Sequence, residues 1–198
     1  MSFRIENKYK LEVGQLNKLY KFIYENSGKV LHKKRLINSI YLDNSEFSAY
    51  NDSIEGTVPR KKIRIRSYPE ENKGDFNFEI KINSNEGKYK ISNKKKNPNK
   101  ILKNGFFDEK YGLCFANIEV SYLREYFELY GIRITVDNKI KYSKFDKKKL
   151  IPTNELAILE VKTNNIDQLN YIEEKFYFEK TRFSKYCNAI DEIYNLNS

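Results

Sequence analysis

Three cations that alternate with isoleucines form the most distinctive group of residues in this sequence that could do chemistry. In the stretch RKKIRIRSY, Lys62, Arg64 and Arg66 alternate with Ile63 and Ile65. Successive side chains of a β-strand point to opposite faces, so the cations would share one face and the isoleucines the other. A row of guanidinium and ammonium groups could neutralise the oxygens of a multiply charged anion.

The same division into an apolar face and a charged face recurs in the other predicted strands. A half-buried sheet with its polar side in water would also alternate, and alternation within one strand does not show that the charged faces meet. If they meet, they line a closed barrel with a charged lumen, and helices cover its apolar outer face. The charged strand faces contain Arg4, Glu6, Lys8, Lys62, Arg64, Arg66, Glu79, Lys81, Arg133, Asp137, Glu160 and Lys162.

The excess of positive charge is consistent with a polyanionic ligand. The chain has 37 Lys and Arg residues against 27 Asp and Glu residues, which gives a net charge of +10. Nucleic acid, phosphate chains or an acidic membrane surface would each match this charge, and so would lysine-rich codon usage without any ligand. Cations also outnumber carboxylates on the strand faces, so a lumen would suit a multiply charged anion, and the few acids there could hold a divalent metal.

The strands and helices that would position these side chains follow from the spacing of apolar residues. The predicted strands cover residues 3–11, 35–44, 60–68, 75–82, 117–127, 131–142 and 155–163, with a further short strand within 87–100. The predicted helical segments are 14–28 with Gly28 as a stop signal, 45–54 capped by Ser45, a turn at 97–105 and an amphipathic helix at 183–196. The lysine runs at 94–96 and 147–149 are expected to be solvated loops. This mixture indicates an α+β fold in a single domain spanning residues 1–198.

The rarer residue types exclude several kinds of site. Cys114 and Cys187 lie far apart without a CxxC motif, which predicts two free, buried thiols. His32 is the only histidine, so His-rich metal sites and most Ser-His-Asp schemes are excluded. No stretch approaches about 20 consecutive apolar residues, and the first residues lack a signal-peptide pattern, so we expect a cytoplasmic protein without a membrane-spanning helix.

Eight short segments occur in the order found in the polyphosphate polymerase (VTC) domain, which the chain resembles from Phe3 to about Tyr186. The segments are FRIENKYKL, SIYLDN, RKKIRIRSY, FEIK, VSYLREYF, RITVDNKI, LEVK and RFSKY. That domain belongs to the triphosphate tunnel metalloenzymes, a CYTH-like superfamily, so the resemblance implies a closed antiparallel β-barrel open at both ends. The superfamily signature Glu-x-Glu-x-Lys reads RIENK here, with Arg4 in place of the first carboxylate. With a cation at this position the sequence resembles the VTC branch of the superfamily. The change also removes one metal ligand, which weighs against a two-metal site.

The resemblance implies metal-dependent transfer of the terminal phosphate of ATP to a growing polyphosphate chain. Such a reaction needs mainly positioning and charge neutralisation from the protein. The implied cofactor is Mn²⁺ or Mg²⁺, and Glu160 is its first expected ligand because the LEVK acid matches the family's metal-binding position. Glu6 and Asp137 follow, with Glu79 behind them, although Asp137 could instead pair with Arg133. The implied catalytic residues are Lys8, Arg64, Arg66, Lys81 and Glu160, and the implied substrate-binding residues are Arg4, Lys62, Arg124, Arg133, Lys162 and Lys185.

Other functions stay open at this point. A hydrolase for tripolyphosphate or polyphosphate would use the same tunnel, with water as the attacking group, and a non-catalytic module would keep the binding without turnover. A nucleic-acid binder would need aromatic side chains on the cationic face, where few fall, so nucleic acid is not expected. The family's eukaryotic members carry membrane-spanning parts, and we expect none in this sequence. The chain would therefore act alone or with a separate membrane protein at the inner face of a membrane.

Overall fold

The computed structural model describes residues 5–71, 75–147, 151–152 and 156–195. The helices among them are α1 (Val13–Glu25), α2 (Ser48–Glu55), α3 (Asn99–Asn104), α4 (Ile166–Phe176) and α5 (Lys185–Tyr194). The strands are β1 (Ile5–Leu11), β2 (Lys29–Asp43), β3 (Arg60–Ser67), β4 (Asp75–Ser84), β5 (Gly87–Lys96), β6 (Phe106–Asp108), β7 (Gly112–Leu129), β8 (Ile132–Lys144), β9 (Ile151–Pro152), β10 (Ala157–Thr163) and β11 (Glu179–Lys180). The predicted α+β class is confirmed.

The chain divides into two compact units. The first unit draws on the ranges 1–35, 122–140 and 152–183, and the second on 36–121, 141–151 and 184–198. The long strands β2, β7 and β8 contribute residues to both units.

In the first unit, the apolar face of the sheet packs against helices α1 and α4. The strands follow the order β11–β1–β10–β8–β7, and β1, β10 and β8 pair antiparallel. Helix α1 begins with a capping box, in which Glu12 and Gln15 each satisfy a backbone N–H of the other. A slip of one residue in any strand would expose its apolar side chains, so this packing fixes which residues face the other way. The buried core contains Tyr9, Leu11, Leu19, Phe22, Ile23, Phe127, Leu129, Ile132, Ile134, Val136, Ala157, Leu159, Val161, Leu169 and Ile172.

In the second unit, the isoleucines of RKKIRIRSY lie inside an apolar core. The strands follow the order β7–β2–β3–β4–β5, with Ile63 opposite Ile80 and Ile65 opposite Phe78. The core contains Leu42, Ala49, Ile63, Ile65, Phe76, Phe78, Tyr111 and Cys114, and Ile101 and Leu102 of α3 pack against it. The alternating cations of β3 therefore take the opposite face of the sheet.

Helix α2 forms where the sequence predicts it, but the predicted cap at Ser45 is wrong. The helix begins at Ser48, and its first backbone N–H groups are satisfied by two earlier side chains. Asp43 accepts from the N–H of Ala49 and of Tyr50, each at 3.0 Å, and Asn44 accepts from the N–H of Ser48, also at 3.0 Å. The carboxylate of Asp43 takes the capping role because it comes at the end of β2, within reach of the first turn of the helix.

Two further segments differ from the prediction. The lysine run at 94–96 is not a loop, because β5 continues through it and pairs with β4, and the Nζ of Lys94 lies 2.8 Å from the Oδ2 of Asp75. The partner strand satisfies the backbone of these residues, which outweighs their poor strand propensity. Helix α4 was not predicted, although Asn165 caps it by accepting from the N–H of Asp167 and Gln168. Of the run at 147–149, residues 148 and 149 lie outside the described residues.

Three other predictions can be compared with the described residues. Cys114 and Cys187 are free and buried, as predicted. None of the described helices is both long and apolar enough to cross a membrane. The antiparallel pairing is confirmed, but among the described strands it does not close into the expected barrel.

Candidate functional site

In the first unit, the strand register places the charged side chains of β1, β8 and β10 side by side. Glu6 lies opposite Lys162, and Lys8 lies opposite Glu160. Across the next pairing, Lys162 lies opposite Arg133. Residues directly opposite each other in antiparallel strands point to the same side of the sheet, so these charges share one face. Asp137 of β8 and its ion-pair partner Arg124 of β7 adjoin these charges. We call Glu6, Lys8, Arg124, Asp137, Glu160 and Lys162 the Glu160 cluster.

Glu160 lies at the centre of this cluster as an almost buried carboxylate. Only 8% of the residue is exposed, and its Oε1 lies 2.6 Å from the Nζ of Lys162. Burial by itself would raise the pKa of Glu160, but the positive charges of Lys162, Lys8 and Arg124 outweigh it and hold that pKa well below its usual range. Glu160 is therefore ionised across the physiological range, and its negative charge attracts cations.

Arg124 and Asp137 form the second ion pair of the cluster. The guanidinium donates from Nε to Oδ1 at 2.5 Å and from Nη2 to Oδ2 at 2.6 Å. Desolvation would lower the pKa of Arg124, but the carboxylate of Asp137 raises it above its ordinary value. The arginine paired with Asp137 is therefore Arg124 rather than Arg133, whose side chain is exposed.

The carboxylates of the Glu160 cluster differ in how well they could hold a divalent metal. Mg²⁺ and Mn²⁺ bind hard oxygen ligands, and carboxylates of two strands can share one ion. Glu160 Oε1 and Glu6 Oε2 fit this chemistry, because they lie 2.6 and 3.4 Å from the same Lys162 nitrogen and so already share a cation. Both oxygens of Asp137 are engaged by Arg124, so a metal there would have to displace the guanidinium. No group of three or more metal-ligating side chains occurs among the described residues.

In the second unit, the cations of β3 surround a different buried carboxylate. Arg64 lies opposite Glu79, and the Nε of Arg64 donates to Glu79 Oε2 at 2.7 Å. Arg66 approaches the same oxygen at 3.8 Å, and the Nζ of Lys90 lies 2.5 Å from Oε1. Burial would raise the pKa of Glu79, but Arg64, Arg66 and Lys90 lower it to about 2. We call Arg64, Arg66, Glu79 and Lys90 the Arg64 cluster.

Tyr41 provides a second contact that holds Arg64 in place. The Nη1 of Arg64 donates to the hydroxyl of Tyr41 at 3.2 Å, and the two residues face each other across the β2–β3 pairing. The ring of Tyr41 stacks on that of Tyr186 in α5, with centroids 5.1 Å apart, and the hydroxyl of Tyr186 donates to Asp43 at 2.6 Å. The orientation of Arg64 is thereby tied to the helix α5 as well as to Glu79.

Lys62 extends this charged face toward the start of α5. Its ammonium donates to the hydroxyl of Ser184 at 2.7 Å and lies 3.8 Å from the sulfur of Cys187. Burial lowers the pKa of Lys62. Lys185 is the first residue of α5 and is half-buried, whereas Lys81, opposite Lys62 on β4, is exposed.

The predicted site residues therefore fall into two sets, one in each unit. The first unit contains Glu6, Lys8, Arg124, Arg133, Asp137, Glu160 and Lys162, and the second contains Lys62, Arg64, Arg66, Lys81 and Lys185. Arg4 lies outside the described residues. Sequence reasoning missed Tyr41 and Lys90, which contact the predicted residues from neighbouring strands. It considered Glu79 only as the last of four candidate metal ligands. Alternation within β5 could have singled out Lys90, but the register places it opposite Lys81, and only the ion pair shows that it reaches Glu79.

Comparison with known proteins gives one family and several similar folds. A family model of the VTC domain matches residues 3–111 and 107–194. A structure from Bacillus halodurans, provisionally described as an adenylate cyclase, is 14% identical, covers 100% of both chains and superposes with a TM-score of 0.65. The PH1819 protein of Pyrococcus horikoshii OT3 is 14% identical over 96% of this chain and 99% of its own, with a TM-score of 0.60. At these identities the structures show similarity of fold. Among curated protein sequences, none matches this chain.

Proposed function

The chain belongs to the VTC domain family, and on that basis we propose that it is a metal-dependent phosphotransferase that makes polyphosphate from a nucleoside triphosphate, with ATP as the expected donor. Membership in this family implies the handling of triphosphate or polyphosphate. The observation that carries the more specific proposal is the Glu160 cluster, in which a nearly buried carboxylate is surrounded by Lys8, Lys162 and Arg124. A polyanion and a divalent cation can both bind to such an arrangement.

We assign the binding of phosphate oxygens to the cations that the sequence predicts in each of the two units. Phosphoryl transfer places negative charge on the oxygens of the transferred group, and fixed cations neutralise that charge. Glu79 and Tyr41 hold Arg64 in one orientation, so little reorganisation is needed when the anion binds. The direct phosphate ligands that we propose are Lys8, Lys62, Arg64, Arg66, Lys81, Arg124, Arg133, Lys162 and Lys185, together with Arg4.

Glu160, with Glu6 beside it, would hold the metal, and a bound Mn²⁺ or Mg²⁺ would neutralise part of the phosphate charge. Lys162 bridges the two carboxylates in the structure, so it would exchange them for phosphate oxygens when the metal binds. We keep Asp137 as the residue that orients Arg124, which makes it the least favourable of the three predicted metal ligands.

Three broader expectations belong to the same proposal. Family membership supports a closed antiparallel barrel with a charged lumen, and a crystal structure with bound tripolyphosphate would test it. Residues 1–198 would act as a single VTC-type domain. The protein would work in the cytoplasm, either alone or at the inner face of a membrane through a separate membrane protein.

The test is incubation of the protein with ATP and Mn²⁺ or Mg²⁺, followed by a gel stained for polyphosphate. Chains that lengthen with time support the proposal, provided that Glu160→Gln abolishes them. Release of orthophosphate from added tripolyphosphate without chain growth would identify a hydrolase instead. Tight polyphosphate binding with neither reaction would identify a non-catalytic module.

A further inference from the structure

An exposed apolar surface on the β6–β7 hairpin lies apart from the charged faces of the strands. Phe107 is 69% exposed, Leu113 is 48% exposed and Phe115 is 47% exposed. Phe107 lies opposite Leu113 in the pairing of the two strands, and Phe115 follows Leu113 by two residues, so the three side chains share one face of the hairpin. We call Phe107, Leu113 and Phe115 the hairpin triad.

The opposite face of the hairpin anchors the hairpin triad to the second unit. Phe106 lies opposite Cys114, its ring packs 4.8 Å from the ring of Phe78, and Cys114 is fully buried. At the turn, the buried carboxylate of Asp108 accepts the N–H of Lys110 at 2.9 Å and lies 2.8 Å from the ammonium of Lys61. The triad is therefore presented to solvent on a rigid support rather than on a loose loop.

Positive charge adjoins the hairpin triad. Lys100 and Lys103 lie on α3 with exposed side chains, and α3 leads directly into Gly105. A Cβ at Gly105 would stand 3.1 Å from Leu113 Cδ1 and from Phe115 Cε1, so the end of this helix touches the triad.

Other charged residues near the hairpin triad offset the positive charge of Lys100 and Lys103 only in part. At the turn of the hairpin, Glu109 is exposed, and the Nζ of Lys110 is paired with Asp52 at 2.6 Å. The remaining balance at this surface is positive, and so is the net charge of the whole chain.

We propose that the hairpin triad docks this protein onto the surface of an anionic phospholipid bilayer. Exposed phenylalanine and leucine side chains enter the boundary between headgroups and acyl chains, while flanking lysines meet the anionic headgroups. A second copy of the chain fits this surface less well. A specific protein interface uses about 20–30 residues a side, and two copies that each carry a charge of +10 repel each other.

The chain contains no tryptophan, which allows a direct test. The Phe107→Trp variant keeps the apolar character of the position and introduces a single tryptophan, whose fluorescence reports contact with brominated lipid. We expect fluorescence to fall by more than half on addition of brominated vesicles rich in phosphatidylserine, and to change little with vesicles of phosphatidylcholine alone. The matched control is Tyr177→Trp, at a position of the first unit that is 87% exposed, and it should stay unquenched. Equal quenching of both variants, or of neither, would overturn the proposal.

Variants of the hairpin triad and of the lysines separate insertion from general charge attraction. In the Phe107→Trp background, Leu113→Ser combined with Phe115→Ser should abolish the quenching while the circular dichroism spectrum stays unchanged. Lys100→Glu and Lys103→Glu should each weaken partitioning into anionic vesicles at least fivefold, whereas Lys18→Glu, at an exposed position of α1, should have a much smaller effect. If Lys18→Glu weakens partitioning as much as the α3 variants, or if the triad instead mediates a dimer seen by sedimentation without vesicle binding, the proposal is wrong.

Discussion

Arg124 and Asp137 are joined by two parallel hydrogen bonds, of 2.5 and 2.6 Å, from neighbouring strands of the first unit. Asp137 is only 1% exposed, and the guanidinium of Arg124 also lies 5.4 Å from the centre of the ring of Tyr122. A bidentate pair with so little exposure fixes both position and plane of the guanidinium. We infer that Asp137 acts through Arg124 and does not contact the phosphate itself.

The Arg124–Asp137 pair predicts that a single substitution lowers the free energy of unfolding much more than a substitution of both residues. Asp137→Ala should lower the free energy of unfolding by about 3–5 kcal/mol, because it leaves the guanidinium desolvated without its carboxylate. The double variant Arg124→Met, Asp137→Leu should recover most of that loss, since apolar side chains of similar volume replace both charges. Urea unfolding measures both effects. Equal losses in the single and double variants would show that the ion pair is not the cause.

The buried carboxylate of Glu79 makes stability depend on acid pH. Three cations lower the pKa of this group from 4.5 to about 2 in the folded protein, so the unfolded chain binds the proton more readily. The resulting stabilisation, of order 3 kcal/mol, is complete above pH 4.5 and disappears as the pH falls toward 2. The difference in unfolding free energy between the wild type and Glu79→Gln should therefore be constant near neutrality and shrink below pH 4.5. A difference that grows on acidification would contradict this assignment.

The sequence predicts which side chains share a face of a strand, but it does not predict which side chains of other strands lie beside them. Alternation alone placed Lys62, Arg64 and Arg66 opposite the isoleucines, because the side-chain period of a strand is two. Nothing in a single strand says that Glu6 will lie beside Lys162, since that register depends on packing between segments far apart in the chain. The partners of the predicted cations, Tyr41 among them, were missed for the same reason.

Local signals also failed where tertiary contacts dominate. Ser45 has the residue type of a helix cap, yet Asp43 takes that role because its carboxylate reaches two backbone N–H groups of α2. The lysines at 94–96 look like a solvated loop, yet the pairing with β4 draws them into β5. In both cases a neighbouring element supplies hydrogen bonds that outweigh the preference of the residue itself.

The hydroxyl of Tyr41 should matter for binding as well as for folding. Tyr41→Phe removes the acceptor of the 3.2 Å hydrogen bond from Arg64, while Glu79 still holds the guanidinium from its other side. We expect stability to fall by about 1 kcal/mol and the affinity for tripolyphosphate to fall about fivefold. Calorimetric titration with tripolyphosphate measures the affinity, with Tyr24→Phe, at an exposed position of α1, as the control. An unchanged Kd would show that Tyr41 does not position Arg64 for the ligand.

Glu160 and Glu6 should contribute unequally to metal binding. Glu160 is the more buried carboxylate and lies closer to Lys162, so Glu160→Gln should weaken Mn²⁺ binding at least tenfold and Glu6→Gln by a smaller factor. Titration of Mn²⁺ followed by electron paramagnetic resonance, in the presence of tripolyphosphate, measures both affinities. Asp137→Asn serves as the comparison, because its carboxylate is engaged by Arg124. Loss of Mn²⁺ binding in Asp137→Asn alone would reverse the assignment.

The most direct test of the proposed activity follows ATP by phosphorus NMR in the presence of Mg²⁺, with the wild type and Glu160→Gln side by side. We predict that the wild type converts the γ-phosphate signal of ATP into signals of internal polyphosphate groups as ADP accumulates, and that Glu160→Gln leaves ATP unchanged while remaining folded. Formation of orthophosphate alone by the wild type, or internal polyphosphate signals of equal size from both proteins, would contradict the central claim.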